Sequence, residues 1–168
     1  MNQPFVAIVM GSDSDLPVMR STAEVLAGFG IRHEIRVTSA HRTPKATHEY
    51  IADAERRGCA VFIAAAGLAA HLAGTVAAIT TRPVIGVPLD AGPLNGMDAL
   101  LSTVQMPGGV PVACVAIGKA GARNAGYLAA QMLALSDPGL AERLRQDRET
   151  KGKEILAKNA ELGLTNKT

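Results

Sequence analysis

The chain has 168 residues, enough for one domain with an ordinary hydrophobic core, and its net charge of +2 is too small to indicate a polyanionic partner. It contains no Trp, two Tyr and three Phe, which argues against a protein that stacks single-stranded nucleic acid on aromatic side chains. No apolar run reaches the ~18 residues of a membrane span, and the N-terminus lacks the regions of a signal peptide. We therefore expect a cytoplasmic protein that binds neither nucleic acid nor membrane.

Five short apolar segments have the composition of β-strands. Four of them are apolar on both faces, which is typical of parallel strands covered by helices on each side. The second segment alternates instead, with Ile35 and Val37 on one face, and this pattern predicts an edge strand. The predicted strands cover residues 5–10, 33–39, 60–66, 83–87 and 111–117.

Helical segments lie between and after these strands. Thr43 and Pro44 are typical of a helix start, and Gly58 is typical of a helix end. The predicted helices cover residues 14–28, 44–57, 69–80, 96–105, 119–135 and 138–161. Repeated strand–helix alternation predicts a three-layer α/β fold with a five-stranded parallel sheet. An edge position for the second strand fits the flavodoxin-like order 2-1-3-4-5.

No repeat, low-complexity segment or linker interrupts this order. We assign residues 1–168 to a single domain, with a core over about 5–136 and a charged C-terminal helix over about 138–161. Cys59 and Cys114 belong to apolar segments, which is typical of reduced core residues in an intracellular protein.

Charge is distributed unevenly along the chain. Residues 58–118 contain only Arg82, Asp90 and Asp98 as charged side chains, whereas residues 137–168 contain thirteen. The buried strands of a small domain do not require so long an uncharged stretch. We therefore interpret the excess as a subunit interface.

Ligands of such folds bind outside the carboxyl ends of the strands, near the point where the strand order reverses. Polar or glycine-rich segments follow the first three strands: "MGSDSD" at 10–15, "SAHRTP" at 39–44 and "AGLAAHLAG" at 66–74. The first three strands are neighbours in the predicted order. We therefore expect the three loops to converge.

The first two loops each allow two interpretations. Amides at a helix N-terminus, together with Ser12 and Ser14, favour an anion such as phosphate, while Asp15 suits sugar hydroxyls. The alternative is plain helix capping, because Ser and Asp are preferred caps at any helix. In the second loop, Arg42 can bind phosphate or carboxylate and His41 can transfer a proton near neutral pH. The alternative there is a capped, solvated turn.

The third loop offers Gly67 and Gly74, which let the backbone approach a ligand closely, and His71 on the first turn of the next helix. Its small residues are equally consistent with helix–sheet packing or a subunit contact. No histidine–carboxylate cluster has metal-ligand spacing, so we expect no metal, and both cysteines begin or lie in apolar strand-like segments, which disfavours a cysteine nucleophile. The Pro- and Gly-rich segment 86–112 is able to fold over a pocket.

Six motifs in this order are more specific than any one of them: "VAIVMGSDSD", "SAHRTP", "AAHLAG", "PVIGVP", "STVQMPGGVPV" and "AIGKAGARNA". Together they resemble the bacterial 5-(carboxyamino)imidazole ribonucleotide mutases, from about residue 5 to residue 148. The resemblance implies an isomerase of purine biosynthesis that moves a carboxyl group from an exocyclic nitrogen to a ring carbon of a ribonucleotide. It also implies no metal or other cofactor, and a homo-octamer with active sites where subunits meet.

The resemblance also implies roles for individual residues. The "SAHRTP" match makes His41 the catalytic acid/base and Arg42 a phosphate or substrate contact. The other substrate-binding residues that it implies are Gly11, Ser12, Asp15, Ser39, Gly67, Ala70, His71 and Leu72. The chain departs from the family at Leu68, where glycine is usual, and at Ala73, where proline is usual. Both departures bear on the flexibility of the third loop.

Two other functions stay open. A related carboxylase would fix free carbon dioxide onto the unmodified aminoimidazole ribonucleotide, although "AAHL" resembles the mutase form. A non-catalytic module of flavodoxin-like fold would only bind a nucleotide. A flavodoxin proper is disfavoured, because the loops lack aromatic residues to hold a flavin between them.

Overall fold

The computed structural model describes residues 4–162. Its sheet has five parallel strands in the order β2-β1-β3-β4-β5, as predicted. The strands are β1 (Phe5–Met10), β2 (His33–Val37), β3 (Cys59–Ala66), β4 (Val84–Pro88) and β5 (Ala113–Cys114). The helices are α1 (Leu16–Gly28), α2 (Pro44–Arg56), α3 (Leu72–Ile79), α4 (Met97–Val104), α5 (Gly118–Ala134) and α6 (Pro138–Glu161).

A row of isoleucines crosses the sheet. Ile8 of β1 lies opposite Ile35 of β2 and Ile63 of β3, and Ile63 lies opposite Ile85 of β4. The three inner isoleucines are fully buried, whereas Ile35 is 41% exposed. The reason is that β2 has a neighbour on one side only. The edge position predicted from the alternation of β2 is confirmed.

Helices cover both faces of the sheet. Ile51 of α2 and Val76 of α3 join one buried cluster with side chains from a single face of the strands. The isoleucine row is not part of that cluster and belongs to the opposite face. There α1 and α5 pack on each other, and the buried Thr22 hydroxyl of α1 donates to the Ala122 carbonyl of α5 at 2.6 Å. The three-layer prediction is confirmed.

The chain divides into two compact units, with the boundary between Ala129 and Ala130 in α5. The first unit contains the whole sheet. The second contains the end of α5 and the charged, mostly exposed α6, which carries ion pairs such as Glu142 with Arg145. The assignment of residues 1–168 to one domain stays a prediction. None of the helices in the described part of the chain has both the length and the apolar composition of a membrane span.

The fifth strand is much shorter than predicted. The sequence indicated a strand over 111–117, but β5 pairs with β4 only at Ala113 and Cys114. Pro111 has no N–H group, so it cannot extend the ladder on that side. Beyond the ladder, a single bond from Val115 N to Gly86 O continues the contact at 3.0 Å.

Two helices also begin later than predicted. The helix expected from residue 14 starts as a 3-10 turn over Asp13–Asp15, and α1 follows it. The helix expected from residue 69 starts at Leu72, so His71 precedes the helix and is not on its first turn. Residues 69–71 form a turn instead: His71 N donates to the Ala69 carbonyl at 2.8 Å, and helical bonding begins with Thr75 N donating to the His71 carbonyl at 2.9 Å.

Candidate active site

A cavity of about 420 Å³ lies at the carboxyl ends of β1, β2 and β3, within the first compact unit. This is the position expected for a sheet whose order reverses between β1 and β3. The predicted site residues in its lining are Gly11, Ser12, Asp15, Ser39, His41, Arg42, Gly67, His71 and Leu72. Ala70 is 2% exposed and lies outside the lining, so the structure does not bring it to the cavity. The three loops converge as predicted.

The turn after β1 is fixed by its own hydrogen bonds. Ser14 N donates to Ser12 Oγ at 3.3 Å, and Ser12 N donates to Asp15 Oδ2 at 3.0 Å, which together form a capping box. Ser12 and Asp15 therefore cap this turn, and both also line the cavity, so capping does not exclude a ligand contact. Burial raises the pKa of the Asp15 carboxyl above its usual value, against the opposing effects of these hydrogen bonds and of Arg42.

Arg42 joins the second loop to the first. Its Nη2 donates to the Gly11 carbonyl oxygen at 2.6 Å, and its backbone N donates to Ser39 Oγ at 3.2 Å. The side chain is exposed and lines the cavity. A guanidinium carries more N–H donors than this one side-chain bond uses. Arg42 is therefore anchored and still able to bind an anionic ligand.

His41 and His71 form a hydrogen-bonded pair. His41 Nε2 lies 2.8 Å from His71 Nδ1, and the ring centroids are 4.9 Å apart with the ring planes at 82°. When both rings are neutral, one facing nitrogen carries the proton and the other accepts it. Both side chains are exposed at the cavity. The bond between the rings holds one proton in place, and a ring nitrogen outside this bond can donate or accept another. Acid–base catalysis on a bound ligand requires such a transfer.

Hydroxyl groups hold the second loop. Thr43 Oγ1 accepts a hydrogen bond from Ser39 N at 2.9 Å and donates to Ser39 O at 3.2 Å. The buried hydroxyls of Thr38 and Thr47 share a further hydrogen bond of 2.7 Å. The helix α2 begins directly after Thr43, as predicted, but the Thr43 hydroxyl bonds back into the loop and does not cap the helix. These bonds fix both ends of the segment that carries the histidine and the arginine.

Close packing holds the loop after β3. A Cβ on Gly67 would lie 2.5 Å from the Cβ of Ala91, so a larger residue does not fit at position 67 without displacement. Ala91 belongs to the segment 86–112, which therefore reaches the cavity as expected. Sequence reasoning missed Ala91 itself, because an alanine in a loop carries no chemical signal. Ser14, which the sequence indicated as a further anion contact, also lines the cavity, and the lining residues not assigned from sequence are Ala40, Ala66, Leu68 and Ala69.

Neither cysteine is placed for a nucleophilic role. Cys59 is buried at the start of β3, and this burial raises the pKa of its thiol to about 11. Burial also raises the pKa of Cys114 in β5, and neither residue lines the cavity. Among residues 4–162, no group of three or more His, Cys, Asp or Glu side chains comes together as metal ligands would.

Known proteins resemble this chain over most of its length. The N5-carboxyaminoimidazole ribonucleotide mutase of Thermotoga maritima is 56% identical over 92% of this chain and 90% of that protein. The protein of the same name from Bacillus subtilis is 52% identical over 95% and 99%. A chloroplastic phosphoribosylaminoimidazole carboxylase of Vigna aconitifolia is 50% identical over 94% of this chain but only 28% of that protein. The crystal structure of Treponema denticola PurE matches with a TM-score of 0.87 and 29% identity, covering 95% of this chain and 99% of that chain.

The fold and the cavity define the class of protein: a flavodoxin-like α/β protein whose strand ends carry a paired-histidine site. A family model described as AIR carboxylase matches residues 5–154. The chain belongs to the AIR carboxylase family. The resemblance expected from the six sequence motifs is confirmed.

Proposed function

We propose that this chain converts 5-(carboxyamino)imidazole ribonucleotide to 5-amino-4-carboxyimidazole ribonucleotide in de novo purine biosynthesis. It is a mutase, an isomerase that transfers a carboxyl group within one molecule. Relatives named for this activity match nearly the whole chain. The observation that supports the proposal most is the 2.8 Å pair of His41 and His71 in the same cavity as Arg42.

His41 performs both proton transfers in this proposal. It first donates a proton to the exocyclic nitrogen that bears the carboxyl group. The bond between that nitrogen and the carboxyl carbon then breaks, its electron pair stays on nitrogen, and carbon dioxide is released. The ring carbon attacks the carbon dioxide to form a carbon–carbon bond, and the proton on that ring carbon returns to His41. Imidazole suits both steps because it gains and loses a proton near neutral pH.

His71 has a supporting role. Its bond to His41 orients the His41 ring and determines which nitrogen carries the proton. The neutral wall formed by Gly67, Leu68 and Ala91 suits a small apolar molecule such as carbon dioxide. A carbon dioxide molecule held there stays close to the ring carbon that it must meet.

The ribonucleotide is held by Arg42 and the turn after β1. Arg42 binds the phosphate with the guanidinium donors that its bond to Gly11 leaves available. Ser12 adds a hydroxyl, and Asp15 accepts hydrogen bonds from the ribose hydroxyls, because a carboxylate beside phosphate would be repelled. Ser39 and Leu72 complete the lining, and Ala70 has no part in it.

The experiment compares two substrates with the purified protein. The carbamate ribonucleotide is supplied without bicarbonate, and the unmodified aminoimidazole ribonucleotide is supplied with bicarbonate. We expect the carboxylated product to form mainly from the carbamate. Product that forms only from the aminoimidazole ribonucleotide and bicarbonate, and not from the carbamate, would favour a carboxylase. This is the activity that the name of the Vigna aconitifolia relative gives. Binding without product from either substrate would favour a non-catalytic nucleotide-binding module.

We also propose that the enzyme is a cytoplasmic homo-oligomer, an octamer as the family resemblance implies. Four large apolar side chains are exposed on α4 and directly before it: Leu94, Met97, Leu101 and Val104. The spacing of Met97, Leu101 and Val104 places these three on one face of α4, Leu94 lies in the loop before the helix, and all four belong to the nearly uncharged stretch 58–118. Light scattering should give the mass of an octamer, and the mass of a single chain would contradict the proposal.

A further inference from the structure

Leu68 has an unusual backbone conformation in the cavity lining. Its φ of 55° lies in the left-handed region, which bulky side chains rarely adopt. The other non-glycine residue with positive φ in the described part of the chain is Asn95, and asparagine tolerates this region because its short side chain can bond locally. Leucine has no such compensation. Contacts around Leu68 must therefore hold it in place.

One such contact is with Gly92, in the loop after β4. A Cβ added to Gly92 would lie 2.5 Å from Leu68 Cδ2. The Leu68 side chain thus fills the space that a side chain at position 92 would need. The neighbouring pair of Gly67 and Ala91 makes a second close approach between the same two loops. Leu68 is 52% exposed, so its contacts cover only one side of the leucine.

The loop after β4 is itself exposed over residues 90–95. Its internal backbone bonds are local: Asn95 N donates to Gly92 O at 3.4 Å, and Met97 N donates to Leu94 O at 3.0 Å. An exposed loop with local bonds takes its position from the side chains that pack against it. Leu68 is such a side chain, and it belongs to the opposite loop of the cavity.

We propose that Leu68 is a positioning residue, a hydrophobic clasp that holds the 90–95 loop against the cavity through Gly92. The clasp keeps Ala91 in the lining and keeps the cavity closed on the side of β4. Closure on this side retains carbon dioxide while the ring carbon attacks it. That last consequence rests on the proposed function, whereas the clasp itself does not.

A double-mutant cycle tests the contact without any assay of activity. Gly92→Ala carries a backbone cost in every background, because Gly92 has a φ of 78°, and only where Leu68 is present does it also displace the leucine end and break the contact. Gly92→Ala should therefore lower the Tm more in the wild type than in Leu68→Gly. Equal losses in the two backgrounds would overturn the clasp.

Exchange and partition measurements test its role in catalysis. In Leu68→Gly, the amides of residues 90–95 should exchange faster with solvent, and more turnovers should end in free carbon dioxide and aminoimidazole ribonucleotide. Leu68→Met refills the space beside Gly92, so its amide exchange and its release of free carbon dioxide should both be close to those of the wild type. Asn95→Gly relieves the other non-glycine residue with positive φ in the described part of the chain, which lies in the 90–95 loop, and should leave the partition unchanged. Unaltered exchange and partition in Leu68→Gly would overturn the proposal. Failure of the proposed function would show separately, as turnover that survives loss of His41.

Discussion

The two sides of the cavity are built by different physical means. On the side of β1 and β2, hydrogen bonds hold the loops: the capping box of Ser12 and Asp15, and the 2.6 Å bond from Arg42 to Gly11. On the side of β3 and β4, close packing holds them, as where Gly67 meets Ala91. The polar side carries the groups that can act on a ligand. The packed side determines the shape of the cavity, and its His71 acts on a ligand through the pair that it forms with His41.

The two sides should respond differently to substitution. A hydrogen-bonded loop keeps spare donors and acceptors for a ligand, and water can replace a lost bond near the surface. A closely packed loop has no spare volume, so even one added methyl group lowers the stability of the folded state. Changes on the polar side should therefore reduce binding or turnover, and changes on the packed side should first reduce stability.

The largest effect is expected for His41→Asn. Loss of the acid/base group should lower kcat by about 10²- to 10⁴-fold, with nucleotide binding and Tm nearly unchanged. His48→Asn is the matched control, because His48 is exposed on α2 and does not line the cavity. Steady-state kinetics of both variants measure the difference. Turnover of His41→Asn within about tenfold of the wild type would rule out this role.

Arg42→Ala should act mainly on substrate binding. A lost charge-assisted hydrogen bond costs about 1.5–3 kcal/mol, which corresponds to a rise in KM of about 10- to 100-fold. Lys45→Ala removes a nearby cation whose side chain is 90% exposed, and it should leave KM unchanged. An unaltered KM in Arg42→Ala would refute the phosphate contact.

Gly67→Ala tests the packed side. Its Cβ would lie 2.5 Å from that of Ala91, and overpacking of this kind typically costs about 1–3 kcal/mol of unfolding free energy. The Tm should fall in Gly67→Ala and recover when Ala91→Gly is added. Gly28→Ala adds the same methyl group where no neighbour lies within 4 Å, and its Tm should not fall comparably. Equal Tm values for Gly67→Ala and Gly28→Ala would contradict close packing as the restraint.

The smallest effect concerns Asp15 and pH. Burial raises its pKa above 3.8 in the folded state, so the folded protein binds more protons than the unfolded chain over the interval between the two pKa values. The contribution of Asp15 to stability is therefore largest at low pH and falls as the pH rises through that interval. In chemical denaturation, the stability of the wild type relative to Asp15→Asn should decrease from acid toward neutral pH. An increase would mean that the carboxyl pKa is lowered.

The sheet and the meeting of the three loops could be predicted, because buried and alternating patterns are local and because right-handed crossovers with β2 at an edge leave few strand orders. The motif that carries His41 and Arg42 could also be identified, and the structure places both side chains in the cavity. The late start of α3 could not be foreseen, since it depends on the turn from Ala69 to His71, which a sequence of small residues does not signal. The contribution of Ala91 depends on contact between two loops distant in sequence, and an isolated alanine gives no sign of it.

The most direct test of the proposed reaction follows the carboxyl group itself. The carbamate ribonucleotide is prepared with an isotopic label in that carbon and incubated with the enzyme in unlabelled bicarbonate. We predict that the wild type forms product that keeps the label and that His41→Asn forms almost none. Product with an unlabelled carboxyl group would contradict transfer within the cavity, because its carbon would have come from solution.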